Sequence, residues 1–198
     1  MGSAGSHYCC PQIRHNKLQM TATAGLVTEL ERIATALNAD DGSVSQFSLA
    51  SVAEKIAKTL SVRNDEVAIM GVSTRWRHLH FLVPEALKNV GFIPLSSNSA
   101  LAARTARDSR PEIDNNFTVA RHAAVFEGVK TSSEEPESIQ KMLSAPILSE
   151  GKVIGVIQIS RKSSSVASAG PDFTADDLGK ILALCKPLGK LLRRITGE

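Results

Sequence analysis

KMLSAPILSEGKVIGVIQISR, residues 141–161, contains two runs rich in β-formers, Lys141–Leu148 and Val153–Arg161. Between them stand Ser149, Glu150, Gly151 and Lys152. Two such runs joined across a short glycine-bearing linker make a β-hairpin. Working back from it, Thr131–Ser138 (TSSEEPES) has the composition of a surface loop, and Val119–Phe126 reads as a half-formed helix. Glu112–Asn115 is a short strand. Asn98–Asp108 is a helix capped by Ser97 or Asn98 and stopped by Pro111, and Phe92–Leu95 is a strand. Glu66–Ser73 and Leu79–Val83 are strands around a hairpin tip at Thr74–His78.

Towards the N-terminus the period changes from two to 3.6. Leu49, Val52, Ala53, Ile56, Ala57 and Leu60 share one helical face, with Ser48 as the N-cap. Leu26, Leu30, Ile33, Ala34 and Leu37 do the same over about 24–38. Forward from the hairpin, SSSVASAG (163–170) is a flexible loop. A long helix then runs from about 174 to 195, opened by Thr174 and Asp177 in a capping-box pattern. Its apolar stripe of Leu178, Ile181, Leu182, Cys185, Leu188, Leu192 and Ile195 is widened by Leu184 and Leu191. A stripe that wide predicts a homodimer through the terminal helices, against the simpler reading that the two helices cover each other in one chain. Pro187 predicts a kink or a break in that helix. Helices at both ends and about six strands between them give an α+β domain, an antiparallel sheet with helices packed on it.

The 198 residues suffice for one full core, and 42% are hydrophobic. No run of about 18 apolar residues exists, which excludes a spanning helix. The charge of +3, with no concentrated basic stretch, argues against nucleic-acid binding, as does an aromatic content of 4%. Cys9, Cys10 and Cys185 form no disulfide framework, so the expected setting is reducing and cytoplasmic. Residues 1–22 read as a flexible arm and 23–198 as the domain. The arm begins M-G-x-x-x-S through Gly2 and Ser6, with Cys9 and Cys10 nearby. That is an acylation pattern, to be set against a tag remnant or chance.

GFIPLSSNSALAARTARDSRPEIDNN (91–116), the 141–162 hairpin with Pro146, Gly151 and Gly155, and PDFTADDLGKILAL (171–184) together resemble a GAF domain over about 48–195. The resemblance implies a central antiparallel sheet with both terminal helices on one face. It places a small-molecule pocket, covered by short helices and loops, on the other. Phe92 and Phe117 would then be apolar walls of that pocket, and Asn116, Arg121, His122 and Ser144 its directed polar groups. Arg121 has no acidic neighbour in sequence, which points to an anionic ligand.

Some cyclic-nucleotide-binding members of the family carry an Asn-Lys…Phe…Asp-Glu pattern. Lys162, Phe173 and Asp177 match it, while Arg161 and Leu178 replace the Asn and the Glu. The residues themselves suggest a structural clasp, Lys162 paired with Asp177 over Phe173. A sulfoxide-reducing branch uses pocket cysteines, and no cysteine lies between Cys10 and Cys185, so no enzyme activity is expected. His78 and His80 share a strand face without a third ligand and read as solvated, so no metal is expected. His122 leaves a haem ligand open beside a surface role. Trp76, between Arg75 and Arg77, is either a surface stack or a partner anchor. The resulting expectation is a non-enzymatic sensory domain with an unidentified ligand, no assigned cofactor and an unidentified output partner. A ligand-free scaffold and a haem-bound sensor or enzyme are the alternatives.

Overall fold

A computed structural model of the protein describes residues 11–38, 48–89, 91–117 and 137–196. Six strands form one antiparallel sheet: β1 (Val67–Ser73), β2 (His78–Val83), β3 (Phe92–Pro94), β4 (Glu112–Asp114), β5 (Ser138–Ser149) and β6 (Lys152–Ser163). Their spatial order is β3-β2-β1-β6-β5-β4. The β5–β6 hairpin forms its long ladder from Ser149 opposite Lys152 to Ser138 opposite Ser163. Its turn places Glu150 and Gly151 at positive φ, 50° and 78°. The α-helices among the described residues are α1 (Pro11–Asn38), α2 (Leu49–Leu60), α3 (Leu101–Asp108) and α4 (Ala175–Thr196).

Alternation along the strands divides the core into two layers. On one face Val67, Ile69, Leu143, Ala145, Ile147, Ile157 and Ile159 pack against α1, α2 and α4. On the other, Ala68, Met70, Val72, Leu79, Phe81, Met142 and Val156 meet Leu101, Ala102, Ala103 and Ala106 of α3. The terminal helices thus share one face, as the resemblance implies.

Local signals behave as their chemistry dictates. Ser48 caps α2, its Oγ accepting from the Ala50 N–H at 3.2 Å. Ser48→Ala is therefore expected to lower stability by about 1 kcal/mol, read from a urea transition. Thr174 and Asp177 bond reciprocally at the start of α4. The Asp177 carboxylate accepts from the Thr174 N–H, and Thr174 Oγ1 accepts from the Asp177 N–H. The cap of α3 differs from expectation. Its capping residue is Ala100, and Ser97 Oγ accepts from the Ala100 N–H one step earlier.

Three further features differ. The first helix begins at Pro11 rather than near 24. Residues 11–22 lack an apolar period, but proline suits the first position of a helix, where its missing N–H has no partner to lose. Pro187 does not break α4, which is continuous from Ala175 to Thr196. Full burial of Ile181, Leu188, Leu191 and Leu192 around it offsets the lost hydrogen bond. The width of the α4 stripe is also accounted for within one chain. Leu184 and Leu191 are as buried as Ile181 and Leu188, because α1 lies along α4 while β5 lies beneath it. Leu182 and Ile195 are what the stripe leaves exposed, at 40% and 47%.

Candidate functional site

On β6, Ile157 and Ile159 face the terminal helices, so Val156, Gln158, Ser160 and Lys162 face the α3 side. Ser144 of β5 stands opposite Gln158. Above them α3 brings down Thr105. Thr105 Oγ1 and Ser144 Oγ lie 2.8 Å apart, and Gln158 Nε2 donates to Ser144 Oγ at 3.3 Å. Ser160 Oγ donates to the Glu66 carbonyl at 3.2 Å. The Lys162 N–H donates to Glu66 Oε1 at 2.6 Å, and Lys162 Nζ donates to the carbonyl and carboxylate of Asp65 at 3.1 and 3.2 Å. Thr105, Ser144, Gln158, Ser160, Glu66 and Lys162 are all buried. Buried polar groups persist only when hydrogen-bonded, and this stripe meets that condition in the middle of an apolar layer. Both flanks of residues 118–136 are fixed on the same face. Phe117 and Ile139 are buried there, and the Phe117 N–H donates to the Gln140 carbonyl at 2.9 Å.

Of the expected pocket residues, Ser144 and Phe117 lie in this layer. Arg121 and His122 fall outside the described residues. Phe92 is not a wall of this face. It is 62% exposed, with its ring 4.9 Å from that of His78. In a three-residue strand only the middle side chain turns inward, and here that is Ile93. Asn116 is exposed in the turn after β4, where its N–H donates to the Asp114 carboxylate. Its neighbour Asn115 has the structural role, bonding both the N–H and the carbonyl of Phe173 at 2.9 and 3.0 Å. Sequence reasoning passed over Thr105 and Gln158. Gln158 carried a signal, a lone amide between two isoleucines in an otherwise apolar strand. Thr105 carried none.

The clasp is built from a different residue. Lys162 reaches Asp65, whereas Asp177 is engaged by Thr174 and Lys180. Arg161 lies over Phe173 instead, with its guanidinium 4.9 Å from the ring centre. Adjacent strand residues point to opposite faces, so Phe173 and Asp177 meet Arg161 on the helix side. Arg161 also donates to the Ser61 and Leu60 carbonyls at the end of α2. Burial lowers its pKa below the ordinary value, against the opposing pull of Glu66 and Asp177.

His78 and His80 are half-buried and pack edge-on with ring centres 6.2 Å apart. Beneath them Gly71 leaves room for the His80 ring, since a Cβ there would lie 2.9 Å from His80 Cε1. Arg75 stacks on Trp76, its guanidinium 4.9 Å from the ring centre. Burial pushes the Cys185 thiol up to about 12, so it stays protonated and weakly nucleophilic near neutral pH. A cleft of about 320 Å³, lined by Leu49, Leu82, Glu85, Lys88 and Ile195 among others, opens on the terminal-helix side, away from the polar stripe. No helix among the described residues is long and apolar enough to cross a membrane.

No match emerged among the curated proteins. Solved structures of the same fold include the GAF domain of a phosphoenolpyruvate-protein phosphotransferase from Acinetobacter. It is 19% identical, with 85% of this chain and 92% of that chain covered and a TM-score of 0.56. The free methionine-R-sulfoxide reductase of Neisseria meningitidis, solved with its substrate, is 16% identical over 100% of this chain and 96% of that chain, with a TM-score of 0.58. Residues 122 to 287 of a methyl-accepting chemotaxis protein are 14% identical over 84% and 98%, with a TM-score of 0.53. The fold is therefore shared by a domain of a phosphotransferase, a segment of a chemotaxis protein and a reductase. The model of the GAF domain family matches residues 26–190, in line with the sheet order and the placement of the helices, and the chain belongs to that family of sensory and regulatory domains.

Proposed function

We propose that this GAF domain is a non-enzymatic sensor that binds a small molecule on the α3 side of the sheet. The observation that carries this reading is the buried polar stripe of Thr105, Ser144, Gln158 and Ser160 in an apolar layer. A few placed polar groups among apolar walls are what small-molecule sites use. The ligand is anionic in this reading, because Arg121 and His122 belong to a segment whose two flanks are fixed on this face. Occupancy shifts the packing of α1 and α4, on the far side of the same strands, and the output follows from that population shift. Two copies associate through these helices, with Leu182 and Ile195 in the contact. Against catalysis stands the chemistry of Cys185, which is buried, protonated and on the opposite face from the stripe.

The scaffold reading draws support from the same geometry, since Thr105 and Ser144 already satisfy each other. A thermal-shift screen of carboxylates, phosphates and neutral metabolites separates the two. The sensor reading expects stabilisation by an anionic compound, lost in Arg121→Ala while the unliganded melting temperature stays unchanged. A screen in which no compound moves the transition leaves the scaffold reading standing and defeats the sensor.

A further inference from the structure

The β1–β2 tip and the sheet edge beside it carry the two exposed aromatic hydrophobic side chains of the described residues. Trp76 is 67% exposed and Phe92 62%, the two most exposed of the large apolar side chains among the described residues. They come from neighbouring elements: Trp76 stands at the turn into β2, and Phe92 pairs with His80 of β2 from the edge strand β3. Neither contributes to the core, so the fold gives no reason for an indole there. The tip is nevertheless held in shape. The Trp76 N–H donates to Ser73 Oγ at 3.4 Å, and the Leu95 N–H donates to the Arg77 carbonyl at 3.0 Å. Arg77 occupies the left-handed region at φ 52°.

Charge decides what such a surface would receive. Arg63, Arg104, Arg107 and Arg193 each have a carboxylate partner within salt-bridge distance. Arg75 and Arg77, like Arg32 and Arg110, are exposed with no carboxylate partner among the described residues, but these two flank an exposed aromatic side chain. The acidic side chain of the β5–β6 turn, at the same end of the sheet, is Glu150, which Arg193 already engages. The tip therefore presents two exposed guanidinium groups without a carboxylate partner among the described residues, from the residues before and after Trp76, one of them stacked on the indole.

From this we infer a docking surface for an acidic protein segment, one carrying carboxylates on both sides of an apolar residue. Guanidinium groups take carboxylates with directional, paired hydrogen bonds, and the indole with its Arg75 stack provides a rigid apolar platform of the kind that dominates interfaces. An anionic membrane is the poorer occupant. Lipid-binding basic sites gather about 4–8 Lys and Arg residues, and this tip offers two. The inference is independent of what binds on the α3 side, because the tip shares no residue with the polar stripe.

Trp76 is the chain's single tryptophan, so its emission reports on this surface directly. The full chain is titrated with a Glu- and Asp-rich peptide carrying a central phenylalanine. The controls are a Lys-rich peptide with the same centre and phosphatidylserine vesicles. The acidic peptide is expected to shift the emission to the blue, with affinity falling as salt rises. The Arg75→Ala/Arg77→Ala double variant should bind at least about tenfold more weakly. Anisotropy of the labelled peptide extends the test to Trp76→Ala, which should lose affinity to a similar degree while keeping the wild-type melting temperature. No shift with the acidic peptide, a shift that survives in the double variant, or a response to vesicles alone would each overturn the inference.

Discussion

Replacing Lys162 with methionine is expected to destabilise the domain by about 2 kcal/mol, because it removes buried charged hydrogen bonds and leaves Asp65 with only the Arg63 guanidinium, at 3.3 Å. The Lys162 side chain is only 2% exposed, and the carboxylate it reaches, Asp65, is 15% exposed. Glu66 lies beside it and is already held by the Lys162 and Arg63 N–H groups. Asp177→Asn should change stability by less than about 1 kcal/mol. The side-chain oxygen of asparagine can still accept from the Thr174 N–H, and Lys180 keeps Asp176 at 2.8 Å. Urea transitions of the two variants decide between the pairings. Equal losses would restore the Lys162–Asp177 clasp; a large loss for Lys162→Met alone supports Asp65 as the partner.

The second large effect is steric. A Cβ built on Gly189 would lie 2.1 Å from the Leu148 carbonyl oxygen and 3.0 Å from its carbon. Both are backbone atoms and cannot rotate away, so α4 must lift from β5. Gly189→Val is expected to lose about 3 kcal/mol or more, at the upper end of overpacking effects. Gly179 on the same helix is the control. A Cβ there meets nothing within 4 Å, so Gly179→Ala should add roughly 0.5–1 kcal/mol through the unfolded chain and helix propensity. Opposite signs for two glycine substitutions in one helix are not a propensity effect. Matching signs would mean that α4 does not touch β5 where the geometry places it.

Much of this fold is readable from local pattern. The 141–161 hairpin, the α2 face with its Ser48 cap and the Thr174–Asp177 start of α4 all follow from period and capping chemistry. What local pattern does not carry is which way a strand faces. Matching Lys162, Phe173 and Asp177 by linear spacing ignores the alternation that puts Arg161 on the Phe173 side and Lys162 on the Asp65 side. One residue also separates Phe92, the pocket wall that the resemblance implies, from Ile93, the side chain that β3 turns inward. The stripe on α4 carries a different ambiguity. Its width measures how many elements cover it, and α1 supplies the second cover within the chain. Thr105 was beyond sequence reasoning because its partner, Ser144, comes from a strand far along the chain and meets it only once α3 is docked.

Native mass spectrometry of the full chain, purified without added ligand, tests the central claim most directly. A sensor that binds on the α3 side should carry a single small-molecule adduct per chain, displaced when the most stabilising anionic compound is added and missing from Arg121→Ala. A chain that flies with its bare sequence mass, and gains no adduct from any member of the anionic panel, would contradict the account.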